Sequence, residues 1–520
     1  MNPAGNGSRT ADESAVATEI ELKLCVPPAL LSRLLTVPLL QPVRRPHTRR
    51  LTATYFDTPD LDLWRQLVTL RVRREGRRWI QAVKGGGKAL SGLHERVEIE
   101  TVLRKPVPDL AALPRHRITR ILRSRKTGES LTAVFRTEIT RTLRMIEPAP
   151  GVVIEVAIDR GIIRSGRRRD PVCELELELK TGPVTALFDA ARLLMHSLPL
   201  ALEHRSKAER GYALFLGQAA LPVRAAPVNL TPEMTAVQAF RTIAATALAQ
   251  IHANEFGVVR SRDPEYLHQM RVGTRRLRSA FSLFRDWLGE DANIHADALR
   301  AIARALGPAR DWDVFMTETL PAVRPALVAH GAAGLLEQRC VRRRQIARRD
   351  LKKLIKSNGY MESMIVLGRW LATPEIAGAK ASPGLPVRVC AAQILTLRHD
   401  RVLKRGRRLE RLAPPEMHRL RIAVKQLRYA VEFFSSLYSA RSMATLRDRL
   451  ARLQDILGEI NDAAAVAPLV RSAAADTGEE AAAAGMVIGW CEAQAARKRK
   501  ALRPAWRRFR KARNPWQEQG

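Results

Sequence analysis

Between about Ala17 and Leu216, apolar and polar residues alternate in short runs: Glu19–Val26, Leu67–Arg74, Arg78–Lys84, Glu95–Val102, Val134–Arg144, Val152–Ile158 and Cys173–Lys180. A period of two sends successive side chains to opposite faces of a strand, so each run predicts a β-strand with one apolar and one polar face. The stretch AALPVRAAPVNLTPEM, with its three prolines, ends the alternation and predicts a linker near 217–232. Beyond it the chain turns rich in Ala, Leu and Arg with helical periodicity. An internal repeat lies there. HQMRVGTRRLRSAFSLF at 268–284 aligns without a gap to HRLRIAVKQLRYAVEFF at 418–434. Each is followed at nearly equal distance by a shared element, ALGPARDWDV at 305–314 and ILGEINDAAAV at 456–466. GAKASPGLP at 378–386 falls between the copies. The expected organisation is a disordered tail over 1–16, a strand-rich domain over 17–216, a linker over 217–232 and an all-α domain over 233–513. The two copies in that domain span about 233–375 and 387–513.

Composition changes this picture mainly through charge. The chain has 520 residues, too many for one growing core, and 88 Lys and Arg against 52 Asp and Glu give a net charge of +36. A field of that sign favours polyanions and disfavours acidic partners, leaving nucleic acid, anionic membrane and polyphosphate in play. The first 21 residues, MNPAGNGSRTADESAVATEIE, lack the apolar stretch of a secretory signal. No later segment approaches the ~18 uninterrupted apolar residues of a membrane span. A cytoplasmic protein with no membrane partner is expected. Cys25, Cys173, Cys340, Cys390 and Cys491 lie far apart without a CxxC, against a disulfide scaffold or zinc module.

The polar faces of the predicted strands carry charge of both signs. Glu19, Glu21 and Lys23 share one face; so do Glu174, Glu176, Glu178 and Lys180. Arg71 and Arg73, Lys84, Arg96 with Glu98 and Glu100, and Glu155 add further single-face charges. Like charges that close repel unless cations sit among them. Such strands can close into a barrel with a polar lumen suited to a phosphate chain and metal ions. Carboxylates hold hard divalent cations, and Arg and Lys neutralise phosphate oxygens. Three positions stay open from the residues alone. Asp159 fits both an inward acid and a cap for a turn before Gly161. Arg136 and Arg141, five apart, face opposite ways on an ideal strand. Glu178 fits either the lumen or its mouth. GGGK at 85–88 lacks the GxxxxGK[ST] spacing of a phosphate loop and predicts a hairpin turn.

Over nearly its whole length this first segment resembles the CYTH domains, the triphosphate tunnel metalloenzymes. The motifs are ExExK at Glu19–Lys23, TYFDT at 54–58, LRVRR at 70–74, QAVK ending at Lys84, ERVEIE at 95–100, IEVAIDRG at 154–161, ELELELK at 174–180 and SKAERGYAL at 206–214. The resemblance implies an α+β domain built on an eight-stranded antiparallel tunnel in which Glu19, Glu21, Glu174 and Glu176, with Asp159, hold Mg²⁺ or Mn²⁺. It further implies that Arg71, Arg73, Lys84, Arg141 and Lys207 line the phosphate path, with Arg141 favoured over Arg136. Catalysis would rest on Lys23, Glu19 and Glu21, with Lys23 orienting the nucleophilic end.

In the repeat, His268, Arg271, Arg275 and Arg278 stand at offsets 0, 3, 7 and 10, which gather on one helix face, and His418, Arg421, Lys425 and Arg428 reproduce them. Met270, Leu277 and Phe281, and Leu420, Leu427 and Val431, cluster opposite. Four like charges along a stripe call for an anion or for internal acids such as Asp311, Asp313 and Asp462. This half resembles the CHAD family, helical domains with conserved histidines associated with polyphosphate. The resemblance implies two pseudo-symmetric helical bundles whose basic faces bind polyphosphate through those eight residues. The basic tail Arg497–Arg513 fits both an extension of that surface and a frayed helix end. The expected function is metal-dependent hydrolysis of inorganic triphosphate to pyrophosphate and phosphate, joined to polyphosphate binding. Alternatives are a nonenzymatic polyphosphate-binding protein, with granule association open, and a hydrolase of thiamine or nucleoside triphosphates. Nucleic acid is disfavoured for want of a recognised motif.

Overall fold

A computed structural model describes residues 15–217, 221–332, 334–373, 385–475 and 478–517. Two compact units form: residues up to Leu221 together with Met364–Thr373, and Pro222–Ser363 together with Pro374–Gly520.

The first unit is a closed antiparallel barrel. Its strands are β1 (Ala15–Cys25), β2 (His47–Asp57), β3 (Val68–Glu75), β4 (Arg78–Leu90), β5 (Leu93–Leu103), β6 (Thr132–Ala149), β7 (Val152–Ser165) and β8 (Arg168–Thr181). Their order is β5-β4-β3-β2-β6-β7-β8-β1, and β1 pairs back to β5 to close the ring. A short β9 (Ala201–Leu202) attaches to β1. The helices of this part of the chain are α1 (Leu31–Leu35), α2 (Asp62–Arg65), α3 (Arg125–Glu129), α4 (Thr185–Ser197) and α5 (Lys207–Leu216).

Alternation decides which residues face out. Leu22, Leu24, Leu175 and Leu177 are fully buried on the outer face, where β1 and β8 pack against α4. Val68, Leu70, Val83 and Ile99 form a second outer cluster with Leu113, Ile118 and Leu122. Inside, one end of the barrel is filled. Ala53, Tyr55, Phe135, Ile139, Ile163 and Val172 pack against Ala208 and Tyr212 of α5. Ser206 and Glu209 form a capping box that fixes the start of α5 and hence the direction in which Lys207 points.

The structure corrects several expectations. Ala15 and Val16, placed in the tail, belong to β1, while residues 1–14 lie outside the described residues. β2 was not among the predicted runs, because HTRRLTAT offers polar side chains to both faces and hides the period of two. GGGK is no hairpin turn. It lies within β4, where Gly86 (φ +53°) is a bulge and the register shifts between Gly85 and Gly87. A Cβ at Gly87 would collide with the Glu95 carbonyl, and the reversal falls at Ser91–Gly92 instead. Asp159 caps no turn either, since β7 runs on to Ser165. Gly161 is required there by the Glu138 carbonyl, which leaves no room for a side chain.

The second unit is helical: α6 (Ala236–Arg260), α7 (Pro264–Leu283), α8 (Ala292–Ala305), α9 (Gly307–Val314), α10 (Leu320–Ala329), α11 (Gly334–Ile355), α12 (Asn358–Ala372, its last turns in the first unit), α13 (Val387–Arg405), α14 (Pro414–Phe433), α15 (Ala440–Arg471) and α16 (Glu479–Arg510). The repeated stripes lie on α7 and α14, and all six predicted core residues there are buried. The second repeated element differs between copies. Pro308 starts a new helix, α9, after Leu306, whereas Glu459 at the matching position lets α15 run unbroken. Part of the predicted linker packs into this unit: Val228 and Leu230 are buried, and Leu230 exchanges two hydrogen bonds with the Ser436 hydroxyl. Residues 218–220 and 378–384, in the linker and the inter-copy segment, lie outside the described residues. Most of the tail belongs to α16, which runs to Arg510 and is anchored by buried Leu502, Trp506 and Phe509. Among the described residues no helix is long and apolar enough to cross a membrane.

Candidate functional site

The barrel lumen collects the charged residues of eight strands. Register explains how: Lys23 stands opposite Glu176 and Cys25 opposite Glu174 across β1 and β8, while Asp159 stands between Glu174 and Arg141 across β7. Glu176 is the hub. One carboxylate oxygen accepts from Lys23 Nζ (2.7 Å) and Lys207 Nζ (2.9 Å), the other from Arg141 Nη2 (2.6 Å). Arg141 also clamps Asp159 through Nε (2.7 Å) and Nη2 (2.6 Å), and Lys207 reaches Asp159 (2.7 Å) and Glu174. Asp159, Glu174 and Glu176 present carboxylate oxygens within 4.8 Å of one another, all three buried. Farther along, Lys84 bridges Glu19 and Glu98, Arg71 contacts Glu98 (3.0 Å), and Arg73 contacts Glu75 and Glu100 (3.3 Å each). Glu21 lies 2.9 Å from Lys23. Glu178 faces the same way but pairs with Lys180 near Glu155. Arg136 points outward, toward Glu138.

Burial penalises every one of these charges, and the partners decide the outcome. Burial works to raise the Glu19 pKa, yet Lys84 and then Lys23 outweigh it and hold the carboxyl down at about 2. For Glu21 burial prevails, helped by the Glu176 and Glu19 charges against Lys23, and its carboxyl moves up. Lys23 is held well above the ordinary lysine range: burial opposes the charge, but Glu176 and Glu21 overcome it. Lys207 rises likewise against burial through Asp159 and Glu174. Arg73 goes the other way, down to about 10, by burial and the neighbouring Arg71.

The helical unit builds a different site. A cavity of 980 Å³ is lined by Arg275 and Arg278 of α7, Arg421, Lys425 and Tyr429 of α14, and Arg285 and Arg300 nearby. Carboxylates are fewer than cations: Asp286 and Glu290 share the wall with these six basic residues. Asp462 reaches Arg421 (3.4 Å), and Asp311 faces Arg271. Asp313 is spent on Arg344 and Arg348 and never meets the stripe. The Nε–H groups of Arg275, Arg421 and Arg428 are buried without an acceptor among the described residues. Burial, then Arg421 and Arg275, push Lys425 down to about 7. Burial and Arg310 lower His268. His418 instead shares a hydrogen bond with Asn461 (2.7 Å), so the two histidines have unlike neighbours. Arg428 leaves the cavity and lies over the Tyr429 ring, 5.5 Å from its centroid.

Several residues of both sites escaped the sequence reading. Arg210, three positions after Lys207 and so on the same side of α5, binds Asp170 (2.8 Å) and approaches Glu174 (3.5 Å). Its spacing within SKAERGYAL was the available signal. His94 is buried in the lumen, and burial and Lys23 keep it neutral. Arg285 and Arg300 sit outside both repeated motifs, and only tertiary packing brings them to the cavity.

Comparison with known proteins divides the chain at the same place. The model of the CYTH domain matches residues 17–212, and that of the CHAD domain matches residues 242–471. A Haemophilus influenzae protein described as inorganic triphosphatase is 34% identical over 207 residues, 39% of this chain and 56% of that protein. The chain thus spans little more than half of that relative. An uncharacterized protein of Mycobacterium tuberculosis is 26% identical over 370 residues, covering 67% of this chain and 69% of its own length. Among solved structures, the CHAD domain from the plant Ricinus communis has a TM-score of 0.50 and 31% identity, covering 57% of this chain and 99% of that one.

Proposed function

Because the chain carries a CYTH domain followed by a CHAD domain, we propose that its barrel hydrolyses inorganic triphosphate with Mg²⁺ or Mn²⁺ and that its helical unit holds polyphosphate. The observation that carries the first part is the carboxylate group of Asp159, Glu174 and Glu176 interleaved with Lys23, Arg141 and Lys207. Three oxygen donors so close together fit a hard dication. When bound, it supplies Lewis acidity toward a phosphoryl oxygen and an acidified water. Glu19 and Glu21, on the same inward face, extend the acidic side.

The cations of the lumen are all engaged by carboxylates, so binding is an exchange of partners. Phosphate oxygens take Arg71, Arg73, Lys84 and Arg141, with the guanidinium groups able to hold two oxygens at once. Lys23 and Lys207 orient the terminal phosphoryl group. Glu21, whose carboxyl burial has moved upward, accepts the proton as water adds to the terminal phosphorus and the bridging P–O bond breaks. Pyrophosphate leaves with its new charge matched by the arginines. In the helical unit, Arg271, Arg275, Arg278, Arg421 and Lys425 face one another with few acids, and a polyanion relieves that repulsion. His268, His418 and Arg428 flank this set.

The test is phosphate release from tripolyphosphate, ATP and thiamine triphosphate with Mg²⁺ or Mn²⁺, for wild type and Glu19→Gln/Glu21→Gln. Metal-dependent release from tripolyphosphate, lowered at least about a hundredfold in the variant, is the expected result. Release from ATP or thiamine triphosphate in preference would reassign the substrate. No release from any of the three would leave polyphosphate binding as the function.

A further inference from the structure

Helix α5 joins the stopper of the barrel to its acids. The stopper is aromatic: Tyr212 packs edge-on to Phe135 (5.2 Å between centroids) and stacks on Trp64 (4.4 Å). The Tyr212 hydroxyl donates to buried Asp57 (2.8 Å), and the Phe135 ring fills the space a side chain at Gly211 would need. The first turn of α5 carries two cations, Lys207 and Arg210, three positions apart and so on one side of the helix. Both reach Glu174, and they hold it differently.

Among the described residues Lys207 pairs only with acids of the lumen. Its Nζ meets Asp159 (2.7 Å), Glu176 (2.9 Å) and one oxygen of Glu174, the three carboxylates close enough together to share an ion. A dication arriving there takes its place. Arg210 has anchors elsewhere. Its Nε donates to Asp170 (2.8 Å) and its Nη2 to the Pro171 carbonyl (2.6 Å), while Nη1 turns to the second oxygen of Glu174 (3.5 Å). A planar guanidinium fixed at two of its three nitrogens keeps the third in place, and the side chain is only 8% exposed. Asp170, Val172 and Glu174 alternate along β8 on the face turned to α5, so this one group ties the helix to the strand that presents the acid.

We infer that Arg210 is a positioning residue for the metal: it keeps hold of the second oxygen of Glu174 while Lys207 gives way, so that the ion is met by the oxygen Lys207 vacates. The inference rests on the triphosphatase reading above. Carboxylates that ligate metals depend on such outer partners for their orientation, and loss of one typically costs ~10–100-fold in affinity. Charge alone predicts the reverse, because taking a guanidinium away from an acid cluster makes the cluster more attractive to a dication. Positioning and bare electrostatics therefore differ in sign.

The test measures Mn²⁺ binding to the full chain by calorimetry, without substrate, for wild type, Arg210→Ala, Arg210→Lys and Lys207→Ala. The dissociation constant should rise at least about tenfold in Arg210→Ala, with partial recovery in Arg210→Lys, which keeps one contact of the fork. Lys207→Ala removes the competing ammonium and should bind Mn²⁺ at least as tightly as wild type. In turnover, Arg210→Ala should need more Mn²⁺ for half-maximal rate while KM for tripolyphosphate at saturating Mn²⁺ stays put. If the alanine variant does not fold, Asp170→Asn replaces it, since it loosens the Arg210 fork without touching Glu174, and the constant should again rise. In a wild type that hydrolyses tripolyphosphate, an Arg210 variant that binds Mn²⁺ as tightly as wild type, or more tightly, overturns the positioning role alone. A lowered melting temperature with an unchanged Mn²⁺ constant does the same and leaves Arg210 a structural tie. A wild type inactive on tripolyphosphate overturns the triphosphatase reading, and the positioning role with it.

Discussion

The lumen and the helical cavity use the same side chains under opposite rules. In the lumen Lys23, Lys84, Arg71, Arg141 and Lys207 are each held by carboxylates at hydrogen-bonding or ion-pair distance, and their charge is secured against burial. In the helical cavity Arg275, Arg421 and Lys425 lie together with fewer acids, Asp286 and Glu290 on the wall and Asp462 beside Arg421, and burial drives Lys425 toward neutrality. A basic residue count does not distinguish these cases. What distinguishes them is whether the counter-charge is built in or must be brought by the ligand. On the proposed function, a site of the first kind works by an exchange of partners, with metal on the acids and phosphate on the cations, and in a site of the second kind an arriving polyanion relieves the repulsion.

Salt separates the two most sharply. Polyphosphate retention by the helical unit should fall on the order of a few hundredfold between roughly 50 and 200 mM salt, by release of counterions from about six phosphate contacts. Tripolyphosphate turnover, governed by buried pairs, should move far less. Equal sensitivity in filter binding and phosphate release would erase the distinction. A smaller effect is expected from Arg275→Ala/Lys425→Ala, which should weaken polyphosphate retention about a hundredfold, as two charge-assisted contacts are lost. Retention within a factor of two of wild type would move the polyanion to another surface. The smallest effect is in pH. Lys425 titrates near 7 in the empty cavity, so above that pH binding must take up a proton, and affinity should fall by up to about tenfold per pH unit as pH rises. Below 7 the ammonium is already present and the profile should flatten. Lys425→Arg should bind with no such slope, which titration calorimetry between pH 6 and 9 would show. The Glu19 carboxyl, held at about 2, contributes nothing in that range.

How much of this was legible in the sequence depends on whether one element or several define a position. The inward sets Glu19, Glu21 and Lys23, and Glu174 and Glu176, follow from parity within one strand, and the structure places them on one wall. A barrel followed by a helical domain was likewise readable from the seven alternating runs and the gapless repeat, while the count of eight antiparallel strands came with the resemblance to the CYTH domains. β2 was hidden because Arg49 and Arg50 put charge on both faces at its start. The Gly86 bulge was misread because glycines announce a bend without saying whether the strand resumes. Arg210, Arg285 and Arg300 were missed for a different reason. Each acquires its role only through the packing of its element against others, which no local period records. Asp159 and Arg141 show the intermediate case: a pair across two strands that neither strand alone could assign.

The aromatic seal at α5 also sets the traffic of the barrel. With Tyr212 stacked on Trp64 and edge-on to Phe135 across one end, a ligand of the lumen has to back out through the opening by which it came. On the proposed triphosphatase function the lumen is a blind alley: the leaving fragment blocks the next arrival, departure rather than bond breaking is expected to set the pace, and added pyrophosphate is expected to compete with substrate for the same arginines.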